Sequence, residues 1–493
     1  VRLRGPSPPL TPAEERLLSP AQREEGLRLA CQVPYREGME AEPVFPWVSP
    51  RAKEALSRGR LDRFPLHPLG EDKFPSLPAG EPFLGVAVDL GTTTLAASLL
   101  DLREGRELAR AAAPNPQAVF GSDVMSRLAA ALEKEKRQRL RELALEGVAA
   151  LASSLGDPGK VRAGVVVGNT AMITLFLGLD PATLALAPYL PPRTSPLLAS
   201  ARELGLPFHP QAPVYLPPAV GGFVGSDALA GHFASRLGPA GEELPLLYLD
   251  VGTNGEVILA LPGGTLAASA PAGPAFEGGG ISAGMPAAPG AVAGVRWEKE
   301  ELRLEVVGGG RALGICGSGL LDLVAALRAA GALDAGGLFT LHRAPPPLAS
   351  RFGEREGERF FRVAPGVELT QRDIRAFQLA KGAVAAAWRL LLEEAGVSPG
   401  ELKRVLLSGA FGSYLREESA LRVGLLPPVP PERVVPVGNA ALEGAELLLL
   451  SREAREELER EAACFRHLSL ASHPRFQEVF LEALELDPWP TRP

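Results

Sequence analysis

Cysteine is scarce: three residues in 493, which excludes a disulfide-stapled scaffold. Lysine is scarce too, with eight against 43 arginines. Basic residues as a whole fall short of acidic ones, 51 against 58, for a net charge of −7. That mild acidity argues against nucleic acid as a partner, because a phosphate backbone calls for a basic face. No long hydrophobic run is present. The uncharged stretch Gly164–Leu179 (GVVVGNTAMITLFLGL) falls short of the ~20 residues that span a bilayer and carries Asn169, Thr170 and Thr174. No basic-then-apolar leader opens the chain. No membrane association is expected, and a reducing, cytoplasmic setting is. Glycine (54) and proline (48) together make about a fifth of the chain, below the ~25–30% of low-complexity sequences. With 46% hydrophobic residues, the composition is that of a globular protein long enough for about three domains.

The texture changes along the chain. Residues 1–41 read as short elements and turns, and 42–82 as a Pro-, Arg- and acid-rich linker. From Phe83 the pattern predicts a β-meander: Leu84–Asp89 (LGVAVD), Leu95–Leu102 and Glu107–Ala113. A helix over Ser126–Leu155 follows, then a strand over Val161–Val167. A second region opens with a strand at Leu246–Asp250 (LLYLD) that returns at Val257–Leu261. Helices are expected at Gly317–Ala330, Asp373–Ala395 and from about Ala440 to Glu461. Strands are expected at Arg404–Ser408 and Val434–Val437. The chain closes with a strand at His467–Ala471 and a helix at Pro474–Leu486. The lobes are bounded at 83–242 and 243–493.

The most informative feature is a repeat. Val86-Ala-Val-Asp89-Leu-Gly91-Thr92-Thr93-Thr94 and Leu247-Tyr-Leu-Asp250-Val-Gly252-Thr253-Asn254 share one pattern: strand, Asp, apolar residue, Gly, Thr, then a second strand. Their aspartates lie 161 residues apart, which marks a domain duplication. Glycine in such a turn lets backbone N–H groups approach a ligand, and Thr and Asn add short donors. These loops suit phosphate oxygens, held by Gly91, Thr92, Thr93, Thr94, Gly252, Thr253 and Asn254. Asp89 and Asp250 suit Mg²⁺, directly or through its retained waters. A lone D-x-G-T is an ordinary hairpin turn. Two copies at lobe starts, closing on one triphosphate, are a stronger signal. Leu406-Leu-Ser-Gly409-Ala410-Phe411-Gly412 runs from a strand into a turn that can lie flat against a nucleobase and ribose, or is an ordinary strand–helix turn. Gly168-Asn169-Thr170 and Gly438-Asn439-Ala440 are matched strand–helix junctions whose Asn can cap the helix. Glu277 can orient an attacking water or simply bond local N–H groups. Asp227 reads equally well as a helix cap.

The two Asp–Gly–Thr hairpins, the GAFG loop and two linking helices resemble the ATPase superfamily of actin, heat-shock chaperones and sugar kinases, over about Phe83 to the C-terminus. A more specific resemblance spans nearly the whole chain. APNPQAVFGSDVMSRL (Ala113–Leu128), VVGNTAMITLFLGL (Val166–Leu179), PPAVGGFVGSDALAG (Pro217–Gly231), LDVGTNGEV, PAFEGGGISAGMPAAPGAV (Pro274–Val292) and HPRFQEVFLEAL (His473–Leu484) are similar to the reductive activators of corrinoid proteins. The resemblance implies an α/β, two-lobed, duplicated actin-like (ribonuclease H-like) ATPase fold behind a small ferredoxin remnant and linker. It implies ATP and Mg²⁺ as ligands, and as partner a corrinoid protein or cobalamin-dependent methyltransferase whose Co(II) is reduced to Co(I). The electron donor is unspecified. A homodimer through apolar meander edges is compatible with it.

The family's N-terminal domain holds a [2Fe-2S] cluster on four cysteines. GLRLACQ resembles its last ligand segment, making Cys31 the candidate fourth ligand. The preceding three are absent here, so a cluster is expected only if further residues precede Val1 in the native protein. Two other function classes fit the superfamily. A small-molecule kinase needs an acceptor pocket with a general base, which no motif specifies. A chaperone-like module needs a peptide-binding domain after the ATPase.

Overall fold

The run Leu84–Leu90 (LGVAVDL) forms strand β1, buried along nearly its whole length. Its unbroken apolar character, without polar alternation, is what a strand covered on both faces requires. β1 pairs antiparallel with β2 (Thr94–Asp101), which pairs antiparallel with β3 (Arg106–Pro114). On its other side β1 runs parallel to β4 (Val161–Gly168). The edge is completed by β5 (Leu197–Ser200) and β6 (Pro213–Leu216), β6 parallel to β4 and β5 antiparallel to β6. The second region builds the same figure from β7 (Leu246–Val251), β8 (Gly255–Leu261) and β9 (Gly264–Ala270), an antiparallel meander. To it β10 (Arg404–Ser408) and β11 (Val434–Gly438) add in parallel, and β12 (Phe465–His467) pairs with β9. The orders β3-β2-β1-β4-β6 and β9-β8-β7-β10-β11 are identical in direction and sequence. The short repeat thus marks a duplicated topology.

The structure, a computed structural model, describes residues 63–74, 81–238, 243–409 and 415–489, with 2–4, 9–11, 23, 26, 28, 40–42 and 48–49. Cys31, Ala410, Phe411 and Gly412 lie outside the described residues, as does most of the 42–82 linker. The chain divides into two units, Val1–Trp47 and Val48–Pro493. In the first, Arg2–Arg4 pairs antiparallel with Glu40–Glu42, and Arg28 donates to the Pro9 carbonyl at 3.0 Å.

The helix expected over Ser126–Leu155 is two: α1 (Val124–Ala131) and α2 (Lys134–Leu155). Asp123 accepts from the Ser126 N–H at 2.9 Å and sets the start earlier than hydrophobic spacing alone indicates. α2 buries Leu140, Leu143, Ala144, Val148 and Leu151 in one helical stripe. Then come α3 (Thr170–Leu177), α4 (Ser226–Arg236), α5 (Gly317–Ala329), α6 (Gln371–Ala395), α7 (Ala440–Leu450), α8 (Arg452–Ala462) and α9 (Phe476–Glu482). The helix expected to run on to Glu461 is divided at Ser451, whose hydroxyl accepts from Ala454 N–H and caps α8. The closing strand sits at Phe465–His467, earlier than His467–Ala471, and the last helix is shorter than Pro474–Leu486.

Two helices lie between the sheets. α7 packs Leu442, Ala445 and Leu448 with Ala87, Val165 and Val167 of the first sheet. α4 packs Ala228 with Tyr248, Ile258 and Leu406 of the second. They touch through glycine: a Cβ on Gly444 would stand 2.3 Å from the Ala230 carbonyl oxygen, and one on Gly231 would stand 3.2 Å from the Ala441 nitrogen. The outer faces are covered by α2 on the first sheet and by α5 and α6 on the second. Both meander edges are partly occupied within the chain, β3 by Val48–Ser49 and β9 by β12. The apolar edges that suggested a homodimer are therefore not simply free. Among the described residues no helix is long and apolar enough to cross a membrane.

Candidate functional site

β1 and β7 are central in their sheets, so the aspartate near the end of each reaches the space between the lobes. Asp89, Gly91, Thr92, Thr93, Thr94, Asp250, Gly252, Thr253, Asn254, Glu277, Gly409 and Asn439 line one cleft of about 200 Å³. Of the residues singled out in the sequence, Gly438 does not line it. It ends β11 in the left-handed region at φ 71°, directly before Asn439. Gly409, directly after β10, has a φ of 92° and an approach to Asp250 (3.0 Å from a Cβ to Oδ1) that suit only glycine.

The two turns meet through Glu277. It closes a short 3₁₀ turn, Pro274–Glu277. Its Oε2 accepts from Thr93 Oγ1 at 2.8 Å and from Thr253 Oγ1 at 2.5 Å. The two threonine oxygens are 3.1 Å apart. One carboxylate oxygen thus joins hydroxyls of both lobes at the mouth of both turns.

The matched asparagines each do two things. Asn169 Oδ1 accepts from Met172 N–H and caps α3, while its amide donates to Thr92 Oγ1 at 3.0 Å. Asn439 Oδ1 accepts from Leu442 N–H and caps α7, while its amide donates to Asp89 Oδ2 at 3.0 Å. The strand–helix junctions therefore aim their donors at the first lobe's turn and aspartate.

Asp250 is held by β7 and β10: Tyr248 OH donates to its Oδ2 at 3.1 Å and Ser408 Oγ at 3.0 Å. Two further carboxylates complete the cleft, Asp227 and Glu256. Asp227 is not the cap of α4, which is Gly225; it occupies the first turn and accepts from Ala228 N–H at 2.8 Å. Glu256 accepts from Ser269 Oγ at 3.2 Å. The signal for Glu256 is a carboxylate in the otherwise apolar strand GEVILAL. Tyr248 is the single hydroxyl in LLYLDV. Neither spacing nor repeat marks them as site residues.

The described lining residues include five carboxylates and no lysine or arginine. Burial accordingly pushes Asp89 up to about 7, with the Asp250 charge adding to the rise and the Asn439 amide opposing it. Burial also raises Asp250, against the Ser408 and Tyr248 hydrogen bonds. Asp227 is raised by burial and then by Asp89, and Glu256 by burial and then by Asp227. Such crowded, desolvated carboxylates call for a cation. All-oxygen donors match a hard ion such as Mg²⁺, which keeps several waters and shares its shell with phosphates. Among the described residues no group of three or more His, Cys, Asp or Glu is arranged to hold a metal by itself. The other donors of the cleft suit a phosphate ligand. Threonine hydroxyls and turn amides can meet its phosphate oxygens. Of the cysteines, Cys316 is buried and Cys464 exposed, both free.

Residues 84–239 match the family model for the RACo middle region, and residues 245–491 match that for the C-terminal domain of RACo, the ASKHA domain. The chain is 33% identical over 427 residues to the corrinoid activation enzyme RamQ of Eubacterium limosum, covering 83% of this chain and 71% of that one. It is 28% identical over 439 residues to the [Co(II) methylated amine-specific corrinoid protein] reductase of Methanosarcina barkeri, covering 82% and 77%. A solved reductive activator for a corrinoid, iron–sulfur protein superposes with a TM-score of 0.75 at 33% identity, covering 83% of this chain and 67% of that one. With the duplicated fold and a carboxylate cleft between its halves, the chain belongs to the RACo family, the reductive activators of corrinoid proteins.

Proposed function

We propose that this chain is an ATP-driven reductive activator: it hydrolyses ATP in the cleft between its lobes to bring a partner's corrinoid from Co(II) to Co(I). The observation that carries the reading is the pair of aspartate-tipped turns facing one cleft, joined by Glu277. Asp89 and Asp250 would hold Mg²⁺, directly or through its waters, and the ion would neutralise phosphate charge. The amides and hydroxyls of Gly91–Thr94 and Gly252–Asn254 bind phosphate oxygens. Gly409 lies along adenosine, and Gly438 and Asn439 stand beside it. Glu277 accepts a hydrogen bond from the attacking water once phosphate has displaced the threonine hydroxyls.

The partner is a corrinoid protein serving a cobalamin-dependent methyltransferase. Lobe closure on ATP alters the face offered to it, so one cobalt state binds better than the other. That differential affinity shifts the one-electron equilibrium. A tenfold preference for the Co(I) form moves the potential by about 59 mV. One electron from an external donor enters per cobalt. No step is assigned to an iron–sulfur cluster, because the three cysteines of this chain cannot supply four thiolates.

The test mixes the purified chain with a Co(II) corrinoid protein and a chemical one-electron reductant, with and without MgATP, and follows Co(I) by its absorbance. Co(I) accumulation that requires ATP and is lost in D250N supports the reading. Accumulation indifferent to ATP, or none at all, refutes it.

A further inference from the structure

Behind the first turn lies a buried cation. Arg127, on α1, is fully buried and among the described residues forms no ion pair. Its Nη1 donates to the Thr92 carbonyl at 2.7 Å and its Nε to the Gly121 carbonyl at 2.9 Å. Asn115, at the end of β3, is equally buried. Its amide donates to the Gly91 carbonyl at 2.8 Å, and its backbone N–H to the Thr93 carbonyl at 2.8 Å. Three successive carbonyls of the turn are therefore tied back into the lobe. In a trans peptide the C=O and the next N–H point in opposite directions. Drawing back the carbonyls of Gly91, Thr92 and Thr93 turns the N–H groups of Thr92, Thr93 and Thr94 toward the cleft side. In the second turn the donors are backbone amides and so neutral: Gly273 N–H on the Thr253 carbonyl at 2.8 Å and Gly252 N–H on the Asn254 carbonyl at 2.9 Å.

A buried guanidinium without a carboxylate partner is costly. Burial pulls Arg127 down to about 10, opposed by the charges of Asp123 and Glu277, so it stays charged at neutral pH. Among the described residues, every charged side chain lining the cleft beside it is acidic. Its positive field reaches the cleft through the Thr92 peptide.

We propose that Arg127 and Asn115 are positioning residues that preset the Gly91–Thr94 peptides as an anion cradle, and that Arg127 supplies from behind the turn the positive charge that favours a polyphosphate there. The inference rests on the nucleotide reading above and names what makes its first turn selective for the phosphate chain.

The test compares wild type, R127Q, R127K and Asn115→Ser by calorimetric titration with MgATP and, separately, AMP. R127Q is expected to weaken ATP about tenfold or more while leaving AMP within about twofold. R127K, which keeps the charge, recovers most of the loss. Asn115→Ser keeps a side-chain acceptor for its turn but loses the Gly91 tether; it shows the same split and carries the test should R127Q not fold. A merely structural role would weaken ATP and AMP alike, and that result overturns the proposal. So does wild-type ATP affinity in R127Q or Asn115→Ser. Failure of the wild-type chain to bind ATP at all is a distinct result, read before any variant, and sinks the nucleotide reading itself.

Discussion

The Asn439 amide donates to the Asp89 carboxylate at 3.0 Å although 350 residues separate them. The same side chain caps α7, the helix that packs between the sheets on the first lobe's strands. Movement of α7 relative to β1 therefore cannot leave the hydrogen bonding of Asp89 unchanged. A single asparagine ties a contact between the lobes to the ionisation of a cleft carboxylate.

Asp250→Asn is expected to lower ATP turnover by at least ~100-fold, the loss typical of removing one preorganised electrostatic contact. The fold should survive, because burial already disfavours the Asp250 charge and Asn is its neutral isostere. Phosphate release and thermal melting measured together check this. Wild-type turnover in the variant would remove Asp250 from the chemistry.

Stability of the protein free of nucleotide and magnesium should fall as pH rises from about 4 to about 7. Asp89 ionises near 3.8 when unfolded and near 7 when folded. Over that window the folded state holds more protons, so its contribution is complete below the lower value and lost through the upper one. Asp250, Asp227 and Glu256 shift in the same direction. Melting temperature against pH for wild type and Asp89→Asn is the measurement. The variant should show a shallower decline, and equal slopes would contradict the assignment.

Gly444→Ala places a methyl 2.3 Å from the Ala230 carbonyl oxygen. Alanine favours a helix interior by up to about 1 kcal/mol over glycine, so a net loss must come from separating α4 and α7. We expect a net destabilisation of about 1–3 kcal/mol in urea unfolding. A stabilised variant would mean that the two helices do not meet there.

Glu277→Gln should reduce turnover about 100-fold or more if the carboxylate acts on water, with ATP affinity held within about threefold. Loss of affinity alongside turnover would assign Glu277 to joining Thr93 and Thr253 across the lobes instead. Single-turnover hydrolysis and direct binding separate the two.

Much of the framework was legible in the chain itself. The strands delivering Asp89 and Asp250 are unbroken apolar runs ending in a carboxylate and a glycine turn, and their repetition 161 residues apart exposes the duplication. These features are local, set by periodicity and turn chemistry within about ten residues. The helix division at Ser451 depended on a capping hydroxyl, which hydrophobic spacing does not register; the one at Leu132–Glu133 has no side-chain cap. Asp227, Glu256 and Arg127 could not be ranked as site residues, because each gains its role from a group on another element. Asp227 reaches the cleft because α4 passes between the sheets, and Arg127 matters because α1 places it behind Thr92. The amino-acid order by itself determined which strands form, which turns close them and that the plan is doubled. Only the tertiary structure decided which buried charges face one another, since desolvation and Coulomb interactions depend on distance in space and not along the chain.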